Sequence, residues 1–234
     1  MKHQYFGDIN DYLKYGLLRC FAEGGFRVGV CWMLTPDDKR HDGRKTKYLS
    51  RPEEWKAHDP PLFDALSEAL ARPDGRHVHH AEAKTVIPHA RFFGAGVPDA
   101  KIERAAWFKQ ARVALRGSDL LFFDPDNGIE VPSKPLGRKD SSKYVYWEEL
   151  KEVWKGGASL LVFQHFARVK REEYIPALSL ELANRTPGST IIPLRTSNVL
   201  FLLACRADHR ARAKSAIHLL GNRWAARVWM HNTT

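Results

Sequence analysis

The sequence predicts one α/β domain spanning residues 1–234, built on a mainly parallel sheet with an antiparallel edge and helices on both faces. Three observations lead there. Short unbroken apolar runs, such as Leu120–Phe123 and Leu160–Phe163, have the form of strands buried on both sides. These runs alternate with stretches of helical period, which is the pattern of strands joined by crossover helices. The chain also carries 44% apolar and 27% charged residues with no repeat, low-complexity tract or linker, so one core is expected.

Taken in order, Asp8 is placed to cap a helix bearing Tyr12, Leu13, Tyr15, Leu17, Leu18 and Phe21, which Gly24-Gly25 ends. Phe26–Leu34 reads as a buried strand. A polar loop runs from Thr35 to about Lys47. Pro60-Pro61 opens a helix carrying Leu62, Phe63, Leu66 and Leu70. Prolines and glycines break residues 74–100 into short elements. A helix follows over about Lys101–Arg116, with Ile102, Ala105, Ala106, Phe108 and Val113 as its apolar side. Leu120–Asp124 reads as a central strand, Tyr146–Lys155 as a helix, and Ser159–Phe163 as a strand capped by Gln164-His165. A helix over Lys170–Asn184 precedes two adjacent strands, Thr190–Leu194 and Asn198–Cys205. A helix over Asp208–Leu220 and a strand over Ala226–His231 complete the reading.

The net charge of +10 favours a polyanionic partner, and nucleic acid is the expected one. The charge gathers in Lys39–Lys47, in Lys134–Lys143, and on the late helix at Arg206, Arg210, Arg212 and Lys214. No apolar run is long enough for a membrane span. The N-terminal residues lack the apolar core of a secretory signal, so the cytoplasm is the expected location. Cys20, Cys31 and Cys205 are few and far apart in apolar surroundings, and are expected as buried free thiols.

In open α/β sheets ligands bind beyond the carboxyl ends of the strands. Asp124 stands at such an end, followed by Pro125, Asp126, Asn127 and Gly128, with Glu130 close behind. Gln164 and His165 hold the equivalent place on the next strand. A third group, Asp8, Asn10, Asp11 and Lys14, begins the first helix, where the spacing of Asp11 and Lys14 puts them on one face. The run Arg76-His77-Val78-His79-His80 has alternating histidines, but no cysteine or acid cluster accompanies it in sequence, so no metal site is expected. Glycine-rich phosphate loops and a Gly-x-Ser-x-Gly elbow are absent. The tryptophans are expected in the core.

Three segments together resemble the RlmJ-type 23S ribosomal RNA adenine-N6 methyltransferases. They are Gly7-Asp8-Ile9-Asn10-Asp11-Tyr12-Leu13-Lys14, then Leu121–Asn127, where Asp124-Pro125-Asp126-Asn127 is similar to the family's Asp-Pro-Pro-Tyr, and the ending through Arg223–Trp229. The resemblance implies a Rossmann-like fold that binds S-adenosylmethionine and methylates adenine N6 in RNA or DNA. Asp124 and the carbonyl of Pro125 would accept hydrogen bonds from the target amine, and Asp8, Asp11 and Lys14 would stand near the cofactor or target. The family's aromatic is Asn127 here, its second proline is Asp126, and the glycine-rich turn after the first strand is replaced by Thr35–Asp38. Two alternatives remain open: a Mg²⁺-dependent nuclease or phosphodiesterase using Asp124, Asp126 and Glu130, and a non-catalytic relative that binds nucleic acid.

Overall fold

The computed structural model describes residues 1–38, 43–83 and 86–231. Asp8 begins the ordered helical part of the chain as expected. Its carboxylate accepts the backbone N–H groups of Asn10 and Asp11 and so starts helix α1, Ile9–Glu23. Strand β1 is Val28–Cys31, shorter than the apolar run predicts. After Cys31 the chain turns toward its neighbour: Trp32 donates to the Phe93 carbonyl, and Leu34 makes only an isolated bridge to Gly96. A short helix α2, Pro52–Trp55, was not expected, whereas α3, Pro60–Leu70, begins on its two prolines with Asp59 as cap. The broken stretch that follows holds a 3-10 turn, Val78–Glu82, and strand β2, Arg91–Phe93.

Helix α4, Lys101–Ala114, forms where predicted but turns a different face inward. Ile102 is 87% and Val113 57% exposed, whereas Arg104, Trp107, Phe108 and Ala111 are buried. Arg104 decides this. Its guanidinium pairs with both oxygens of Glu149 at 2.7 and 2.9 Å, donates to the Tyr144 carbonyl at 3.0 Å and lies over the Trp107 ring, so the buried charge is neutralised although Nη1 has no hydrogen-bond partner.

Strand β3, Leu120–Phe123, ends at Asp124. A parallel ladder of two residues each, β4 (Gly128–Ile129) with β5 (Tyr144–Val145), ties down the long loop after it. Gly128 has φ +126°, and a Cβ there would collide with the Gln164 amide, so only glycine suits. Helix α5 is Trp147–Lys155, and strand β6, Ser159–His165, runs through Gln164 and His165. Helix α6 is Arg171–Arg185 and strand β7 Thr190–Arg195. Strand β8 is Val199–Cys205, helix α7 Arg210–Trp224, and strand β9 only Trp229–Met230.

The seven-stranded sheet among the described residues has the order β2-β1-β3-β6-β8-β7-β9. The first four strands are parallel. The antiparallel part extends further in than an edge, because β8 is inserted antiparallel between β6 and β7 and pairs with both over six residues each. Alternating side chains build two cores. Val28, Val30, Leu120, Phe122 and Phe201 pack under α1, α3 and α7. Cys31, Leu121, Phe123, Val162 and Leu202 pack under α4, α5 and α6. All three cysteines are free and buried. The first and last helices meet closely: Gly16 lies flat against the Trp224 indole, where a Cβ would clash, and Tyr12 meets the same ring edge-on at 5.0 Å. No helix among the described residues is long and apolar enough to cross a membrane.

Candidate functional site

Strand order reverses direction between β1 and β3, because the chain runs from β1 outward to β2 and then returns to β3 on the other side. Such a switch point opens a crevice at the carboxyl ends of the two strands. A cavity of about 550 Å³ lies there. Asp8, Asn10, Asp11 and Lys14 from the start of α1 meet there in full, with Asp124–Asn127 after β3, though not Gly128 or Glu130, and His165 at the end of β6. The loop residues Gly43, Arg44 and Lys45, together with Lys143, form a basic part of its wall.

The central contact is Lys14. One turn of α1 places it 2.7 Å from Asp11 Oδ1, and the packing of α1 on the sheet brings the same ammonium 2.7 Å from Asp124 Oδ2. All three side chains are at least 97% buried. The rings of Tyr15, Trp32 and Phe163 stand 5.5–5.7 Å from the ammonium. Burial opposes the charge on Lys14, but the Asp11 and Asp124 carboxylates outweigh it and hold the amine above its ordinary value. Lys14 is therefore a fixed cation, not a base. Asp11 is further held by the Gly7 N–H at 3.1 Å and the Tyr15 hydroxyl at 2.9 Å, and burial pushes its carboxyl up. Asp8 is raised to about 7, first by burial and then by the neighbouring Asp11.

The acceptors on the opposite wall are less satisfied. Asp126 is buried, and its Oδ1 has no hydrogen-bond partner. Among the described residues the nearest cations are the Met1 amino group at 3.9 Å from Oδ1 and Lys2 at 3.6 Å from Oδ2. The Met1 amino group donates to the carbonyls of Met33 and Asp124 at 3.0 and 3.1 Å. Asn10 Oδ1 is a second buried oxygen without a partner. His165 stands edge-on to Phe163 at 4.9 Å, and desolvation holds its imidazole below the ordinary value although its outer edge is exposed, so it is neutral at pH 7.

Two predicted residues lie elsewhere. Glu130 Oε1 accepts the Trp147 N–H at 2.7 Å and starts α5. Gln164 Oε1 accepts the Ile129 N–H at 2.7 Å, and its amide donates to the His165 carbonyl, so it fastens the loop behind the site. Neither lines the cavity. The basic clusters separate as well. Lys39–Asp42 lie outside the described residues. Arg212 pairs with Asp119, before β3, which puts the late-helix cluster at the amino ends of the strands, away from the cavity. Arg44 and Lys45 reach the wall from the basic run Lys39–Lys47 and Lys143 from Lys134–Lys143, whereas Met1 and Lys2 are wall residues that the sequence did not mark. No protein-family model matches the chain, and no curated protein matches it in sequence.

Proposed function

We propose that the chain is an S-adenosylmethionine-dependent methyltransferase-like enzyme acting on adenine N6 in RNA or DNA. The observation that carries this reading is the direct contact of Lys14 with Asp124. Lys14 and Asp124 belong to two of the three segments that carry the resemblance, stand 110 positions apart, and meet at the switch point of the sheet.

The lining suits the cofactor in two respects. Asp126 Oδ1 and Asn10 Oδ1 are buried acceptors without donors, and the ammonium and ribose hydroxyls of S-adenosylmethionine are donors. A cavity of about 550 Å³ falls in the range of cofactor-sized sites. When bound, the cofactor supplies an activated methyl group; the protein supplies orientation.

Lys14 fixes Asp124 by one oxygen and leaves Oδ1, which takes no hydrogen bond among the described residues, for a target amine. The carbonyl of Pro125, which lines the same wall, is the second acceptor. Two acceptors on the amine protons turn its lone pair outward. Neutral His165 stands in the cavity wall as a group able to take up the proton the amine loses. Arg44, Lys45 and Lys143 offer positive charge to phosphates, and a base reaching Asp124 must leave its stack.

The Mg²⁺ hydrolase reading keeps Asp11, Asp124 and Asp126 in one cavity but has Glu130 committed to α5. Titration calorimetry with S-adenosylhomocysteine tests the first reading. Micromolar binding that weakens in Asp126→Asn supports it. Absence of binding at millimolar ligand, with Mg²⁺-dependent cleavage of RNA or DNA lost in Asp126→Ala, replaces it with the second.

A further inference from the structure

The histidine run is unused by the cavity, and the fold turns an acid, Asp74, which stands two positions before the run, onto two of its imidazoles. Between α3 and the 3-10 turn Val78–Glu82, Asp74 folds back over the turn. Its Oδ2 lies 3.6 Å from His79 Nε2 and 3.5 Å from His80 Nε2. The ligand atoms of the three residues all lie within 4.8 Å of one another. A tetrahedral ion with bonds of about 2.0–2.1 Å holds neighbouring donors roughly 3.3 Å apart. The three donors therefore close on one ion with only small movements.

The tautomer of His79 also favours an ion, whereas His80 Nε2 donates to the Asp74 carbonyl at 3.3 Å and must carry its proton on Nδ1 instead in order to ligate. His77 Nδ1 accepts the backbone N–H of His79 at 3.1 Å, so this nitrogen carries a lone pair. The Nδ1 of His79 faces the same atom at 2.5 Å, and must therefore be the donor of that pair. A proton on Nδ1 leaves the lone pair of His79 on Nε2, the nitrogen that faces Asp74. This is the arrangement in which a metal-ligating histidine is oriented by a second group through its other nitrogen. His77 is itself held by stacking on His3 at 3.7 Å.

We propose that Asp74, His79 and His80 bind one divalent transition-metal ion, with zinc the best match, and leave the fourth position open. Two imidazoles and one carboxylate suit zinc better than Mg²⁺ or Ca²⁺, which take oxygen ligands. Asp74 and His79 are about half exposed or more, so an ion can enter from solvent, while His80 is nearly buried and anchors it. Through His77 and His3, the ion would stiffen the turn whose neighbours Met1, Lys2 and Tyr5 line the cavity. The site does not depend on the chemistry proposed for that cavity.

The test is titration of the full chain, free of any histidine tag, with Co²⁺ alone and then Zn²⁺ in competition. The expected result is one Co²⁺ per chain with the intense visible absorption of four-coordinate cobalt, displaced by one equivalent of Zn²⁺. His79→Ala, at an exposed position that leaves the fold intact by circular dichroism, abolishes the band. His77→Ala weakens binding by about 10- to 100-fold, the usual cost of losing an orienting partner. A cobalt spectrum that stays pale and six-coordinate overturns the proposal. So does a band that survives in both His79→Ala and Asp74→Ala.

Discussion

Strand β3 carries an aspartate at each end, and the two are used in opposite ways. Asp119, before the strand, is saturated: Oδ1 accepts the Arg27 N–H at 2.8 Å, while Oδ2 meets Arg27 Nε at 3.2 Å and Arg212 at 2.6 Å. It ties α7 to the edge of the sheet. Asp124, after the strand, is held on one oxygen by Lys14, beside an Asp126 oxygen and an Asn10 oxygen that have no partner. Saturation serves structure, whereas buried acceptors left open at a cavity wait for a donor from outside. The same residue type, five positions along one strand, is thus a fastener at one end and an acceptor facing a cavity at the other.

The sharpest way to break this comparison is to remove the cation at each end. Lys14→Met leaves Asp11 and Asp124 facing each other in a buried space, and should cost about 3–5 kcal/mol of unfolding free energy in a urea titration. Arg212→Ala leaves Asp119 with Arg27 at a partly exposed site, and should cost about 1 kcal/mol or less. Equal costs would mean that the two ends do not differ in burial as described. Next in size, Asp126→Asn should reduce affinity for S-adenosylhomocysteine by roughly 10-fold or more, the usual range for a charged hydrogen bond, while changing stability little.

The pH dependence isolates Asp8. Burial and Asp11 raise its folded carboxyl to about 7. The folded chain therefore keeps a proton that the unfolded chain releases near pH 4. Stability contributed by this group is present at low pH and falls as pH rises from about 4 to about 7. Asparagine keeps the cap acceptor but carries no charge. Asp8→Asn should thus gain about 1 kcal/mol or more over wild type at pH 8, with the gain shrinking toward pH 5 in thermal unfolding. The smallest expected effect concerns salt. Each of Arg44→Ala, Lys45→Ala and Lys143→Ala should lower the salt slope of nucleic-acid binding by about 1, and Lys214→Ala at the other end of the sheet should leave it unchanged.

Apolar patterning was enough to place the strands that carry the cavity, since each is a run buried on both faces. It failed on α4, where Ile102 and Val113 suggested the inward side and Arg104 took it instead. A charge buried through a partner 45 positions away leaves no periodic trace. The cluster Asp11, Lys14 and Asp124 was marked in pieces, because each piece sits at the end of an element. Their junction was not, because it depends on how α1 crosses β3. Glu130 and Gln164 were marked by the same nearness to strand ends, yet each spends its oxygen on a backbone N–H. Asp74 was not marked at all, because a single acid beside a histidine run is no cluster until the fold sets it against two imidazoles.

The flat contact between Gly16 and Trp224 has a consequence for biosynthesis. The helix that presents Lys14 is made well before the ring it rests on, which belongs to the last turn of α7. A nascent chain therefore carries Asp11, Lys14 and Asp124 long before α1 has its final support. The final seating of α1 must wait for Trp224, and a chain cut before that residue holds every residue of the cavity without the ring that backs its helix.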